Sequence, residues 1–449
     1  MKIIQALGWY YPENLGGSEV YVSALSHRLA KMGHDVVVAA PLAGIGAPRS
    51  YEHDGLQVFR YPIPAKPTRD EAQGERPARG SEFFTRWLAD SEPDIVHFHS
   101  LVAGLGPLEI RAASLVGAHV ILTSHASSLG YICQRGTLMR WGEFVCDGLT
   151  EVVKCSGCEL QNRGMPKPLS RVVAREPVSV SRLLGRSDTR AGTALGMPAL
   201  IARNKRKQRE LVAMVDKFVV LTGFAARIVE KNGIPDDKLV VNPLGIIDPD
   251  RYPGGVVKSK PTSARVRFGY LGRFDSVKGV FELVRALARV PKSLGFSFEI
   301  RGPAQLPAEL AIVEQLRAIV GDDPRVAFAP GVSREEVPGV LRSYDVLVCP
   351  SVCAEGGPTV ALEAHAVGTP VIGSRIGGLA EIVEHGVSGM LVPPGDVSAL
   401  AVLIESVATS PAETIDRWRS ALPRPRTMDD VTNDYVALYD SIRLEAARK

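Results

Sequence analysis

The sequence predicts an α/β fold made of two parallel-sheet halves facing each other across a cleft. Three observations carry this. Short apolar runs alternate with helical patterns from the N-terminus onward. A Pro-, Gly-, Asp- and Ser-rich stretch at 242–265 interrupts the pattern, and the same rhythm restarts beyond it. Its 449 residues also suit two or three domains at roughly 100–200 residues each.

The elements follow in order. Ile3–Leu7 reads as a strand, and Tyr11–Gly17 as a loop punctuated by Gly and Pro. Tyr21, Leu25, Leu29 and Met32 recur at helical spacing, with Ser18 as a candidate N-cap and Gly33 as a stop. Asp35–Ala40 is a second strand. Strand, helix, strand is a βαβ unit, and a parallel sheet follows from it. Asp94–Phe98, Val120–Thr123 and Phe218–Leu221 continue the first sheet. Val266–Leu271, Phe296–Ile300, Val346–Cys349 and Val371–Gly373 read as the second sheet, with a helix over Phe281–Val290. The expected domains are 1–245, a linker at 246–264, and 265–415. Residues 416–449 are expected as a helical segment packing back on the first domain. Open sheets of this kind bind ligands at the carboxyl ends of their strands.

The composition excludes several classes. Apolar residues at 45% and charged residues at 23% rule out disorder and collagen, and six cysteines rule out a disulfide-rich mini-protein. The apolar N-terminal run is too short for a signal core, and no apolar run reaches the ~18–20 residues of a membrane span. The sequence therefore points to the cytoplasm and to reduced thiols. A net charge of +4 is too small to argue for nucleic acid, and no nucleic-acid-binding module is recognisable.

Three motifs suit the chemistry of a phosphorylated ligand. Gly16-Gly17 opens a helix after the first strand, so backbone N–H groups could approach a phosphate; the pair alone also suits a plain tight turn. Arg273 and Lys278 sit in the loop Gly272–Gly279 after the first strand of the second half. There they read either as diphosphate ligands or as solvated cations. In Pro350–Glu363, Glu355 lies in a Gly-rich loop and Glu363 about one turn into the next helix. A carboxylate suits the paired hydroxyls of a ribose or hexose, or simply favours a helix N-terminus. The N–H groups of Gly357, Thr359 and Val360 could bind phosphate, whereas Pro358 has none.

Glu355 and Glu363, with seven residues between them, and the following Ala364–Ile372 resemble the signature of family 4 glycosyltransferases. These are retaining enzymes of the GT-B fold, with two Rossmann-like domains. Other segments resemble the family in the same order: Pro12–Glu19, Asp94–His99, Thr123–His125, Val240–Ile246, Gly272–Gly279, Ile376–Glu381 and Gly389–Asp396. The resemblance implies backbone contacts from Gly16 and Gly17 to a donor diphosphate. It implies neutralisation of the leaving group by Arg273 and Lys278, ribose binding by Glu363, and contact of Glu355 and His125 with the donor sugar. It also implies no catalytic metal, and retention by same-face attack through an oxocarbenium-like state. Gly357-Pro358-Thr359 departs from the family, where many members carry an aromatic or aliphatic residue two positions after the first Glu; donor choice is harder to infer as a result. His97 and His99 read as structural.

Cys133, Cys146, Cys155 and Cys158 fall within 26 residues. Four such thiolates suit a tetrahedral structural zinc, with an iron–sulfur cluster less favoured and four unliganded thiols as the plain reading. Several family members resemble the chain here. The insert, about 126–210, also carries the charge. Residues 161–210 hold twelve Lys and Arg against three Asp and Glu, a net +9. Arg182, Arg186 and Arg190 would align on one helix face. Such a surface suits anionic lipid or an acidic glycan, or is simply solvated.

The expected function is transfer of a sugar, with retention, from a UDP-, GDP- or ADP-sugar to a hydroxyl of a glycan or lipid-linked acceptor, in cell-surface polysaccharide or glycolipid synthesis. The enzyme would be cytoplasmic or peripheral on the inner membrane face. The alternatives are a sugar-nucleotide epimerase of the same fold and a non-catalytic nucleotide-sugar binding protein.

Overall fold

The computed structural model describes residues 1–13, 16–252, 265–304, 306–409 and 412–447. Asn14 and Leu15 of the N-terminal glycine loop lie outside the described residues. So do 253–264 of the expected linker, and residues 448 and 449 of the expected C-terminal segment. The chain forms two compact units. The first comprises Met1–Gly136, Asp147–Pro243 and Met428–Lys449, and the second Thr137–Cys146 and Leu244–Thr427.

The first unit holds an eight-stranded sheet. From one edge the order is Leu239–Val241, Lys217–Val220, His119–Ser124, Ile95–Phe98, Lys2–Ala6, Asp35–Ala43, Leu56–Ile63 and Arg49–His53. All pairings are parallel except that of the last two strands. The central strands are mostly apolar, since helices cover both faces of a parallel sheet; Ile3, Ile4, Val96, Ile121 and Val219 are fully buried, as are the polar Gln5, His97 and Thr123. The first helix runs Gly17–Lys31. Gly16, not Ser18, is its N-cap, and Gly33 ends it in the left-handed region. Tyr21, Leu25 and Leu29 are buried, but Met32 lies past the helix end and is 47% exposed.

The second unit holds a six-stranded, all-parallel sheet in the order Val326–Pro330, Phe296–Gly302, Val266–Leu271, Val346–Cys349, Val371–Ser374, Gly389–Val392. Numbered within the unit this is 3-2-1-4-5-6, the Rossmann order, and its direction reverses between Val266–Leu271 and Val346–Cys349. Phe268, Phe298, Ile300 and Leu283 centre one core layer, and Leu347, Ala361, Ala364 and Val371 the other. The sheet-edge strands Arg49–His53, Leu239–Val241, Val326–Pro330 and Gly389–Val392 are additions to the elements read from sequence.

Candidate active site

In the second unit the loops after Val266–Leu271 and Val346–Cys349 flank the point where strand order reverses, which is where an open sheet leaves a crevice for ligand. Lys278 and Glu355 meet there in an ion pair, Lys278 Nζ to Glu355 Oε2, both about a quarter exposed. The Ser351 hydroxyl donates to the other oxygen, Oε1, at 2.7 Å. Gly279 lets the two loops approach. Its φ is +72°, and a Cβ there would lie 1.9 Å from the Pro350 carbonyl oxygen. Val352 N–H then donates to Val277 O at 2.9 Å, sealing the contact. Arg273 is exposed on the same loop and has no ion-pair partner among the described residues. The Tyr270 hydroxyl holds its backbone carbonyl at 2.7 Å.

The helix Thr359–Ala366 starts directly after this loop, so Thr359 and Val360 carry first-turn N–H groups that have no acceptor within the helix. Its entry is fixed by glycines. A Cβ on Gly378 would meet the backbone of Gly357 at 2.6 Å, and Gly378 N–H donates to Glu355 O at 2.9 Å. Gly357 itself has φ +124°, a conformation that other residues rarely adopt. This close approach is the physical content of the Gly377-Gly378 motif. Glu363 lies in the second turn and shares a hydrogen bond with the buried Tyr252. Burial pushes the Glu363 carboxyl up from its ordinary value and outweighs that hydrogen bond.

In the first unit the corresponding reversal lies at Lys2–Ala6, between Ile95–Phe98 and Asp35–Ala43. Gly8 N–H donates to Ser100 Oγ at 2.6 Å and ties the loops after Lys2–Ala6 and Ile95–Phe98 together. Gly16 and Gly17 open the helix here. Around Gly17 no atom of the described residues, its own chain neighbours and helix backbone aside, lies within 4 Å of a Cβ position, whereas Glu19 folds over Gly16, its Oε2 2.6 Å from the corresponding point. Glu19 is buried and favourable at a helix N-terminus.

His125 follows the strand His119–Ser124 and belongs to a connected network. His99 donates from Nε2 to Gln5 Oε1 at 2.6 Å, since that oxygen only accepts. His99 Nδ1 therefore accepts from His125 Nε2–H at 3.0 Å, which leaves His125 Nδ1 unprotonated. Tyr21 packs edge-on against His125, with centroids 4.8 Å apart. His97 lies between the Tyr439 hydroxyl at 2.8 Å and Thr123 Oγ1 at 2.7 Å, and Thr123 continues to Tyr435 at 2.9 Å. Desolvation lowers all three imidazoles, His125 to about 4 and His97 and His99 well below their ordinary value. They are neutral at pH 7. His97 and His99 are fully partnered and buried, as a structural role requires.

Several contributors were not read from sequence: Ser351, Tyr252, Gln5, Thr123, Tyr435 and Tyr439. Ser351 stands four residues before Glu355, and its motif position was the available signal. Tyr435 and Tyr439 come from the helix Met428–Ala447, and nothing local to them points to a histidine more than 300 residues away.

The insert places its cysteines and its basic residues as follows, and one expectation for it is corrected. All six cysteines are thiols, and among the described residues no three of His, Cys, Asp and Glu are placed to hold a metal. The thiols expected as zinc or iron–sulfur ligands fall in separate elements. Cys133 is in a loop. Cys146 ends a short hairpin, Met139–Arg140 with Phe144–Val145, in the segment that clusters with the second unit. Cys155 and Cys158 lie within the helix Val152–Asn162, where Cys155 packs on the apolar cluster of Leu160, Met197 and Ile201. Arg182, Arg186 and Arg190 do not share a helix. One helix ends at Leu184 with Gly185 as its cap, and the next starts at Arg190 with the Thr189 side chain capping Gly192 N–H at 3.0 Å. The +9 is also partly consumed. Lys207 and Arg203 pair with Glu75 at 3.0 and 3.6 Å, and Arg163 with Glu159 at 2.7 Å.

Comparison with known proteins settles the family. Residues 16–245 match the family described as glycosyl transferase 4-like domain, and residues 265–410 match glycosyl transferases group 1. The chain belongs to the glycosyltransferase 4-like family. It is 26% identical to a D-inositol 3-phosphate glycosyltransferase of Saccharomonospora viridis over 97% of this chain and 93% of that one. A protein of the same name from Pseudarthrobacter chlorophenolicus is 25% identical over 91% of this chain and 86% of that one. Among solved structures, the sucrose-phosphate synthase of Thermosynechococcus elongatus matches with TM-score 0.63 and 19% identity, covering 99% of this glycosyltransferase and all of that chain. Anabaena HepE in complex with UDP matches with TM-score 0.60 and 15% identity, over 98% and 100%. These likenesses establish the GT-B fold. The enzyme is thus a hexosyltransferase-type glycosyltransferase using a nucleotide-sugar donor. Among the described residues no helix is long and apolar enough to cross a membrane.

Proposed function

We propose that this glycosyltransferase transfers a hexosyl group, with retention, from a nucleotide diphosphate sugar to a hydroxyl of a glycan or lipid-linked acceptor in cell-surface polysaccharide or glycolipid synthesis. The observation that carries the reading is the pairing of Lys278 with Glu355 at the strand reversal of the second unit. The pair keeps a cation and a carboxylate at the crevice before donor arrives. Donor diphosphate takes Lys278 together with Arg273 and the N–H groups of Gly357, Thr359 and Val360, while Glu355, held by Ser351, turns to the sugar hydroxyls. Glu363 takes the ribose, with Tyr252 orienting it. Gly16 and Gly17 add backbone N–H groups from the first unit, and neutral His125 contacts the sugar near the scissile bond. Two fixed cations stabilise the departing diphosphate. The acceptor hydroxyl then attacks from the leaving group's own face through an oxocarbenium-like state, with no covalent nucleophile.

UDP-sugars are the first donors to test, because structures of the similarly folded HepE carry UDP and UDP-glucose. A thermal-shift panel of UDP-, GDP- and ADP-sugars ranks the bases, since a ligand bound to the native state raises its melting temperature. Transfer to the acceptor with retained anomeric configuration supports the reading. Donor turnover without acceptor would favour the epimerase, and binding without any turnover the non-catalytic alternative.

A membrane-facing acceptor is favoured by one specific feature. Leu169, Val172, Val180, Leu183 and Leu184 are 41–64% exposed and stand among the exposed Arg171, Arg175, Arg182 and Arg186. Apolar side chains among cations suit the interface of an anionic bilayer. Sedimentation with vesicles containing phosphatidylglycerol, weakened by salt and absent with phosphatidylcholine alone, is the expected result.

A further inference from the structure

The second unit contains a cavity that the switch-point chemistry does not use. It has a volume of about 580 Å³ and lies between the C-terminal end of the helix Thr359–Ala366, the turn Pro249–Arg251 and the segment 419–427. That is the size of an ordinary small-molecule site. Its wall includes Ile246, Leu422 and the rings of Pro249, Pro423 and Pro425. The polar groups are few and of distinct kinds.

His365 is the first. It is 5% exposed, its Nε2 has no hydrogen-bond partner among the described residues, and it lines the cavity. Burial lowers its pKa to about 4, so the ring is neutral and awaits a hydrogen bond rather than a counter-ion. Arg419 is also buried; its Nε donates to Gly368 O at 3.0 Å, and it pairs with Asp416. Arg424 is exposed at the cavity, and among the described residues Asp250 is the one carboxylate lining it. Arg419 is already paired with Asp416, so Arg424, which has no ion-pair partner among the described residues, is the cation that a ligand anion would meet. Asp250 and His365 Nε2 supply partners for ligand hydroxyls, and the proline rings supply apolar faces for its C–H groups.

The cavity also touches the donor machinery. Tyr252 lines it and shares a hydrogen bond with Glu363. His365 and Glu363 stand two residues apart on one helix. An occupant that shifts the Tyr252 ring therefore shifts the partner of the ribose-binding carboxylate.

We propose that this cavity is a second ligand site, taking a small hydroxylated anion of the sugar-phosphate type, whose occupancy changes donor affinity through Tyr252. The coupling rests on Glu363 binding the donor; the site itself does not.

Isothermal titration of the full chain with glucose 6-phosphate is the test. Saturable binding at one site is expected, at least tenfold weaker for glucose or for inorganic phosphate alone. Arg424→Glu should weaken it at least tenfold. His365→Phe should do the same while melting no lower than the wild type, because it removes an unpartnered buried nitrogen. Tyr252→Phe should keep glucose 6-phosphate binding and lose its effect on UDP affinity. No saturable binding, binding indifferent to Arg424→Glu and His365→Phe, or strictly competitive binding, in which the apparent Kd for glucose 6-phosphate rises without limit as UDP is added, would each overturn the site. An effect on UDP affinity that survives Tyr252→Phe overturns the coupling. If Glu363→Gln leaves UDP affinity unchanged, the donor reading fails while the titration still decides the cavity.

Discussion

At the strand reversal of the first unit, three histidines and the hydroxyls of Thr123, Tyr435 and Tyr439 form a network whose imidazoles carry no charge at neutral pH. At the reversal of the second, a lysine and a carboxylate stand paired and part-exposed, with a serine on the carboxylate. The topology is of the same kind and the chemistry opposite. A parallel sheet positions whatever follows its strands. Whether that group is charged depends on how much of it remains in contact with water. His97 is wholly enclosed, because a C-terminal helix brings Tyr435 and Tyr439 over it. Lys278 and Glu355 sit on loops that keep solvent access, so their side chains stay within reach of a charged ligand.

The predictions break or sharpen that contrast. Glu355→Ala should have the largest effect, lowering transfer about 10²–10³-fold with nucleotide binding retained, as removal of an oriented polar group at a reacting centre does; steady-state assay with parallel nucleotide titration reads both. At the buried reversal the effect should move to stability. His97→Phe leaves Tyr439 without its partner and disrupts the bond to Thr123, for a loss of about 2–4 kcal/mol by denaturant titration. Gly279→Ala should cost about 2–3 kcal/mol and displace Lys278, because a left-handed backbone and a carbonyl both stand against the added methyl.

Acid should separate the two regions next. Unfolded histidine takes a proton near its ordinary 6.5, but His125 in the folded chain does so only near 4, and His97 and His99 also below the ordinary value. Between those values the unfolded state binds more protons, so their contribution is full above about 6.5 and is lost as pH falls toward 4. Buried His365 in the second unit adds in the same direction. Raised Glu363 acts oppositely; its contribution is present below the ordinary carboxyl value and lost as pH rises through its elevated one. Melting temperatures should therefore fall below pH 6.5, and less steeply in His97→Phe; an unchanged slope would count against the network. The smallest effect should come from Gly17→Ala. With open space around it, the fold stands and donor affinity drops about tenfold, roughly 1.4 kcal/mol.

Much of this was legible because it is local. Apolar runs of Ile, Val and Leu marked the central strands, glycines marked the loops, and the spacing of Glu355 and Glu363 marked a loop and the helix that follows it. Edge strands such as Val326–Pro330 were not legible, because their half-exposed residues alternate too weakly to stand out. The insert misled for a related reason. Regular spacing of Arg182, Arg186 and Arg190 suggests one helix only if the chain between them stays helical, and Gly185 and the Thr189 cap end that.

By itself, then, the sequence determined the alternation of strands and helices and the chemical types at the strand ends. Periodicity, glycine placement and charge are properties of neighbouring residues. The tertiary structure alone decided the partners: Lys278 with Glu355 across 77 positions, His97 with Tyr439 across 342, and Tyr252 with both Glu363 and a cavity. Those contacts depend on which strand lies beside which and on how much water is excluded, and both are settled only when the sheet closes on its helices.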